Sequence, residues 1–194
     1  MSDYEGVPLR LLRSLKGPAR RPTILITTSH RPSRRTRSLV KDLQGAIEGA
    51  VRLTRGHLSL SDLGLIGVRV GASRVLVVSE RSGNPGLIVG YAPGEGGLSE
   101  LGRLRLRGVT LSRELRSRAR FTCSGVYAAD QASRGLADLL ARITGLQPLD
   151  EPRGGYLEVR SEGDVFVVVP RSGRAFTGPI IRVEGGPLGG RGDS

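Results

Sequence analysis

The segment Thr23–Leu43 reads TILITTSHRPSRRTRSLVKDL and passes from an aliphatic run straight into Arg31, Arg34, Arg35 and Arg37, with Lys41 one helical turn later. A guanidinium donates hydrogen bonds in a planar fork that fits phosphate oxygens. The chemistry on offer is the gripping of an oxyanion. A second set, Arg103, Arg105 and Arg107 in RLRLRGVTL, alternates with Leu104 and Leu106 and suits the same purpose. Bond-breaking chemistry is not expected. Ser29 and His30 adjoin, but neighbours in a strand point apart and no carboxylate stands nearby in sequence to orient the imidazole. Asp62, Glu80, Glu95 and Glu100 lack ligand spacing, His30 and His57 are the only histidines, and Cys123 is the only cysteine. Neither a catalytic residue, a metal nor a cofactor is implied, and Cys123, within an apolar run, reads as buried packing.

These cations belong to a chain of 194 residues with 30 Lys+Arg against 18 Asp+Glu, a net charge of +12 and a pI near 11.3. The excess is local. Residues 1–55 carry +8 and residues 101–120 carry +6, while 56–100 and 121–194 each carry −1. Such concentration attracts polyanions, because each phosphate neutralised releases condensed counterions. RNA, DNA and an anionic membrane surface all satisfy the charge. Aromatic residues make up only 4%, too few for a base-stacking sheet, so recognition should lean on phosphates and backbone shape. No apolar run reaches the roughly 18 residues of a membrane span, and the first residues lack a signal-peptide core. A cytoplasmic monomer with no membrane contact is expected. The single Asn, Cys and Met fit a thermophilic source.

The elements that must position the arginines follow from periodicity. Thr23–Thr28 reads as a buried strand, and the apolar residues at 39, 40, 43, 47 and 50 as one face of a helix capped by Ser33 or Thr36. The arginines then fall in its first turns. Free N–H groups and the positive dipole end make cations there slightly unfavourable, and a phosphate would reverse that sign. Val51–Thr54 reads as a second strand and SLSDLGLIGVRVG as a capped helix weakened by glycines. Arg74–Glu80 and Leu87–Tyr91 read as strands joined through SGNPG, with APGEGGLSELG as a flexible loop. In RLRLRGVTL the parity changes after Gly108, which predicts a bulge or bend there. Phe121–Tyr127 reads as a strand, residues 136–143 as a helix ending at Gly145, and Tyr156–Arg160, Val165–Val169 and Ala175–Val183 as a meander. LRLLRSL in the lead-in reads as a short amphipathic turn or helix. A faint echo pairs TTS at 27–29 with TCS at 122–124, each before a helix, at offsets of 95 and 96 residues. The closing RGDS spells an adhesion tripeptide and is read as coincidence.

The run ILITTSHRPSRRTRSLVKDL resembles the N-terminal signature of the Brix-domain family, ribosome-biogenesis proteins of archaea and eukaryotes. The likeness extends through VLVVSERSGNPGLIVGYAPGEG, RLRLRGVTL and FTGPIIRVE, from about Pro22 to Glu184. It points to a compact archaeal member, similar to the family's eukaryotic small nucleolar ribonucleoprotein branch in the small-subunit processome. The resemblance implies an α/β (α+β) fold of two similar halves, each like the anticodon-binding domain of class IIa aminoacyl-tRNA synthetases. The implied organisation is a basic lead-in over 1–21, a Brix domain over 22–184 with halves near 22–112 and 113–184, and a flexible Gly-rich tail over 185–194. The implied function is non-enzymatic binding of rRNA or pre-rRNA that aids processing, folding or pairing. The alternative is a protein-interaction scaffold among pre-ribosomal proteins. Arg31, Arg34, Arg35, Arg37, Lys41, Arg103, Arg105 and Arg107 are the expected RNA contacts.

Overall fold

The computed structural model describes residues 15–16, 23–115, 117 and 119–185. Apart from Leu15–Lys16 and Gly185, the lead-in, its LRLLRSL and the tail with RGDS lie outside the described residues. Among the described residues, twelve strands form one sheet with three helices packed on it. In chain order these are β1 (Leu15–Lys16), β2 (Ile24–Thr28), α1 (Arg34–Ala46), β3 (Ala50–Leu53), α2 (Leu60–Val70), β4 (Arg74–Arg81), β5 (Asn84–Gly94) and β6 (Gly97–Thr110). After a 3₁₀ turn (Ser112–Glu114) come β7 (Gly125–Ala128), α3 (Arg134–Thr144), β8 (Gln147–Leu149), β9 (Gly155–Glu162), β10 (Val165–Ser172), β11 (Ala175–Phe176) and β12 (Ile180–Glu184).

The spatial order is β1-β3-β2-β4-β5-β6-β12-β10-β9-β7-β8, with β11 on β10. The same path occurs twice. Parallel β3, β2 and β4 are followed by antiparallel β5 and β6, and parallel β8, β7 and β9 by antiparallel β10 and β12. The two series join through the β6–β12 pair. Equivalent residues differ by 100 in number: Ser33 and Ser133 precede α1 and α3, and Leu39, Val40 and Leu43 match Leu139, Leu140 and Ile143. The TTS/TCS echo therefore sets the wrong register. Residues 121–124 precede β7 instead of forming its start, because Cys123 bridges to Ile47 at the end of α1.

One layer holds α1 and α3 against Ile24, Ile26, Leu104, Leu106, Val126 and Val159. α2 covers the other face of the first series through Leu25, Val75 and Val77. Nothing equivalent follows β8, which returns to β9 through Asp150–Gly154. Several sequence expectations are corrected here. The helix ends at Ala46, since Ile47 closes it and Ala50 already belongs to β3. The expected loop APGEGGLSELG is the tip of the β5–β6 hairpin, with Gly94 opposite Gly97. Its glycines admit the glycines of α2: a Cβ on Gly64 would lie 2.7 Å from the Gly97 backbone, and one on Gly67 would lie 2.7 Å from Pro93. Those helical glycines, unfavourable within a helix by themselves, allow α2 to pack closely on the hairpin tip. The β4–β5 turn tightens to Ser82 and Gly83, both with positive φ. The expected final strand is two, β11 and β12, with a cis Gly178–Pro179 peptide between them. Leu106 and Gly108 pair with Val183 and Arg182, so Arg107 is the extra residue of the bulge expected beside Gly108. Cys123 is fully buried and its thiol is pushed up to about 12 by desolvation.

Candidate nucleic-acid interface

The first turn of α1 holds no acidic residue in its own sequence, and Ser33 caps it by accepting from the Thr36 N–H at 3.2 Å. The missing carboxylate comes from elsewhere. Glu80, at the end of β4, accepts from the Ser33 N–H and from the Thr36 hydroxyl, each at 2.5 Å. Hydrogen bonds from Ser33 and Thr36 hold its carboxyl below the ordinary range. The helix start is thus completed by the chain's own anion, so the dipole alone does not demand an external phosphate. α3 is closed in a related way: Asp130 accepts from the backbone N–H of Ser161 and of Ser133, both at 2.8 Å.

With the dipole answered, the arginines separate by environment. Arg35 is held internally. Its Nη1 and Nη2 reach Glu114 at 2.6 and 3.0 Å, and Nη2 also donates to the Val109 carbonyl at 2.7 Å. Arg31, Arg34, Arg37 and Lys41 are exposed, and among the described residues their side chains have no hydrogen bond or ion pair. Arg31 also adopts a left-handed backbone with φ 51°, an uncommon conformation for a residue with a Cβ.

The connection between the two series lies along this helix. The Ser112 N–H donates to Asp42 at 2.7 Å and Arg113 reaches Ser38 at 3.3 Å. Past it runs an open groove of about 1130 Å³ lined by Lys41, Asp42 and Gly45 of α1, by Arg120, Phe121 and Thr122, and by Thr177 and Gly178. Exposed Arg113 and Arg120 extend the basic surface from α1. Single-residue motifs did not point to this pair; the charge of residues 101–120 did.

Arg103, Arg105 and Arg107 stand on the other side of the sheet. Leu104 and Leu106 enter the layer under α1 and α3, so the three arginines project from the opposite, open face. The structure does not bring the two clusters together. Arg103 is engaged by Glu100 through two 2.8 Å contacts, and Arg107 by Asp164 at 3.3 Å. Arg105 has no partner among the described residues. Arg182 joins this face: it stands opposite Gly108, is exposed between buried Ile181 and Val183, and was missed although IIRVE carries the same alternation. Among the described residues no cluster of His, Cys, Asp and Glu is assembled to hold a metal ion.

No family model matches the chain. It is 49% identical over 169 residues to a probable Brix domain-containing ribosomal biogenesis protein of Aeropyrum pernix, covering 81% of this chain and 93% of that one. It is 38% identical over 73 residues to the U3 small nucleolar ribonucleoprotein protein IMP4 of Bos taurus, a match covering 37% of this chain and 25% of the other. The crystal structure of a probable ribosomal biogenesis protein from Aeropyrum pernix superposes with a TM-score of 0.74 at 34% identity, covering 86% of this chain and 97% of that one.

Proposed function

Because the chain belongs to the Brix domain-containing ribosomal biogenesis proteins, we propose that it binds rRNA or pre-rRNA and aids its folding, pairing or processing without catalysing a reaction. The observation that carries this is the row of exposed cations without a hydrogen bond or ion pair among the described residues, Arg31 just before α1 and Arg34, Arg37 and Lys41 on it. Uncompensated cations on an exposed helix gain little from the fold, whereas each phosphate they neutralise releases counterions. Arg113 and Arg120 continue the track toward the groove, and Arg35 serves the fold by tying α1 to Glu114. The ribonucleoprotein named in the bovine relative supports RNA as the polyanion. We further propose that each of the two equivalent series is one unit of the anticodon-binding type, a reading supported by their shared strand order.

The test is binding of a labelled rRNA fragment by anisotropy across a salt series. Wild type should weaken steeply with salt. The triple variant R34E/R37E/K41E should lose most affinity and flatten the slope of log K against log salt by about 2, at about 0.7 per single-strand phosphate contact. Unchanged affinity and slope would remove α1 from the interface.

A further inference from the structure

A separate feature lies at the C-terminal ends of β2 and β3. These strands are adjacent and parallel, yet β2 continues into α1 on one face and β3 into α2 on the other. Where neighbouring parallel strands send their chains to opposite sides, a crevice opens at their carboxyl ends, the place where open α/β sheets bind ligands. His30 follows β2 here and Arg55 follows β3. The two meet: Arg55 Nη2 lies 3.4 Å from His30 Nε2, and His30 Nδ1 lies 3.1 Å from the Gly56 carbonyl. A carbonyl can only accept, so Nδ1 carries the proton and Nε2 turns its lone pair toward Arg55.

Arg55 is only 7% exposed, and its Nε and Nη1 have no hydrogen-bond partner. Leaving buried donors unpaired is costly, and more so on a charged group. Asp62 and Tyr91 bear on the guanidinium electrostatically. The Asp62 carboxylate, however, accepts from the Ser59 N–H and hydroxyl at 2.8 Å each and closes the start of α2. Desolvation draws the Arg55 pKa down, the direction expected of a charge that burial has left undercompensated. Every other buried side-chain polar atom among the described residues finds a partner. The fold thus keeps one cation buried and under-bonded where the chains leaving β2 and β3 part.

We propose that this crevice is a phosphate-binding site, with an oxyanion supplying acceptors to Arg55 and His30 flanking it. It is independent of the α1 surface, since its cation belongs to the loop after β3. The phosphate comes either from a polynucleotide backbone or from a free phosphate compound, and both present the same tetrahedral oxyanion.

The full chain is titrated with inorganic phosphate against chloride at equal ionic strength, followed by thermal denaturation and by the Arg55 Nε–H NMR resonance. Wild type should show a saturable rise in midpoint and a saturable shift of that resonance. R55M, which keeps the stem and removes the donors, should lose the thermal effect, while R34E/R37E/K41E should retain it. Phosphate stabilisation that persists in R55M, or a wild-type resonance that does not move, overturns the site. The wild-type resonance needs no variant, so the proposal stays testable if R55M folds poorly. Binding of the rRNA fragment identifies the source: a loss in R55M, with phosphate competing in wild type, assigns the backbone, and unchanged RNA binding assigns a free phosphate compound.

Discussion

The basic surface at the start of α1 and the basic face of β6 carry similar numbers of arginines, but the first leaves all except Arg35 available and β6 leaves only Arg105. Along α1, the acid that sequence proximity fails to provide arrives from β4 as Glu80 and bonds the helix start. Glu114 takes Arg35 alone. Arg31, Arg34, Arg37 and Lys41 remain unpaired among the described residues. On β6, Glu100 and Asp164 each take one arginine of three. Exposed ion pairs add little stability, but they lower the charge a polyanion meets. The difference lies in where the carboxylates sit, which a count of arginines does not reveal.

That contrast sets an order of effects. R34E/R37E/K41E should reduce affinity for an rRNA fragment by roughly 100-fold at moderate salt, and R103E/R105E/R107E by roughly 10-fold or less. Equal losses would erase the distinction. Arg34→Glu should leave the thermal midpoint unchanged, whereas Arg35→Glu should lower it, because that change breaks the contacts to Glu114 and the Val109 carbonyl and sets two carboxylates together. Ser33→Ala should cost about 1 kcal/mol, the usual worth of a helix cap, without a change in RNA salt slope. Glu100→Gln should raise affinity by a small factor by releasing Arg103. No change there would mean that β6 stays outside the interface even when freed.

Acid sharpens the same comparison from the stability side. Glu80 and Asp130 are both held below their ordinary pKa, Glu80 by bonds from Ser33 and Thr36 and Asp130 chiefly by the Ser161 backbone. A depressed folded pKa gives stability that is complete above the unfolded value near 4 and lost as pH falls through the folded one. Thermal midpoints should therefore fall below about pH 4, and Glu80→Gln should flatten part of that decline. An identical profile in the variant would separate Glu80 from acid stability.

Much of this architecture was legible in the sequence because local signals were strong. Ser33, Ser59 and Gly145 mark helix ends by side-chain capping or a left-handed cap, and alternation in RLRLR fixes which residues of β6 are buried. What was hidden depends on contacts between distant residues. The glycine run around Gly97 reads as a loop because the reason for Gly97 is α2, which packs against its backbone through Gly64. The echo of TTS in TCS gives an offset of 95, whereas the helix caps Ser33 and Ser133 lie 100 apart, because Cys123 bridges to Ile47 instead of entering β7. Glu80 lies 44 residues from Thr36, so no pattern around the arginines could disclose that the helix start was already satisfied. Arg55 gave no motif at all, since its distinction is burial without partners.

The most direct test is ultraviolet crosslinking of the full chain to an rRNA fragment, with the attached peptides identified by mass spectrometry. The account predicts nucleotides on peptides from residues 31–41 and 113–122, with few on 103–107. Crosslinks concentrated on 103–107 and absent from 31–41 would contradict it and place the RNA on the open face of the sheet.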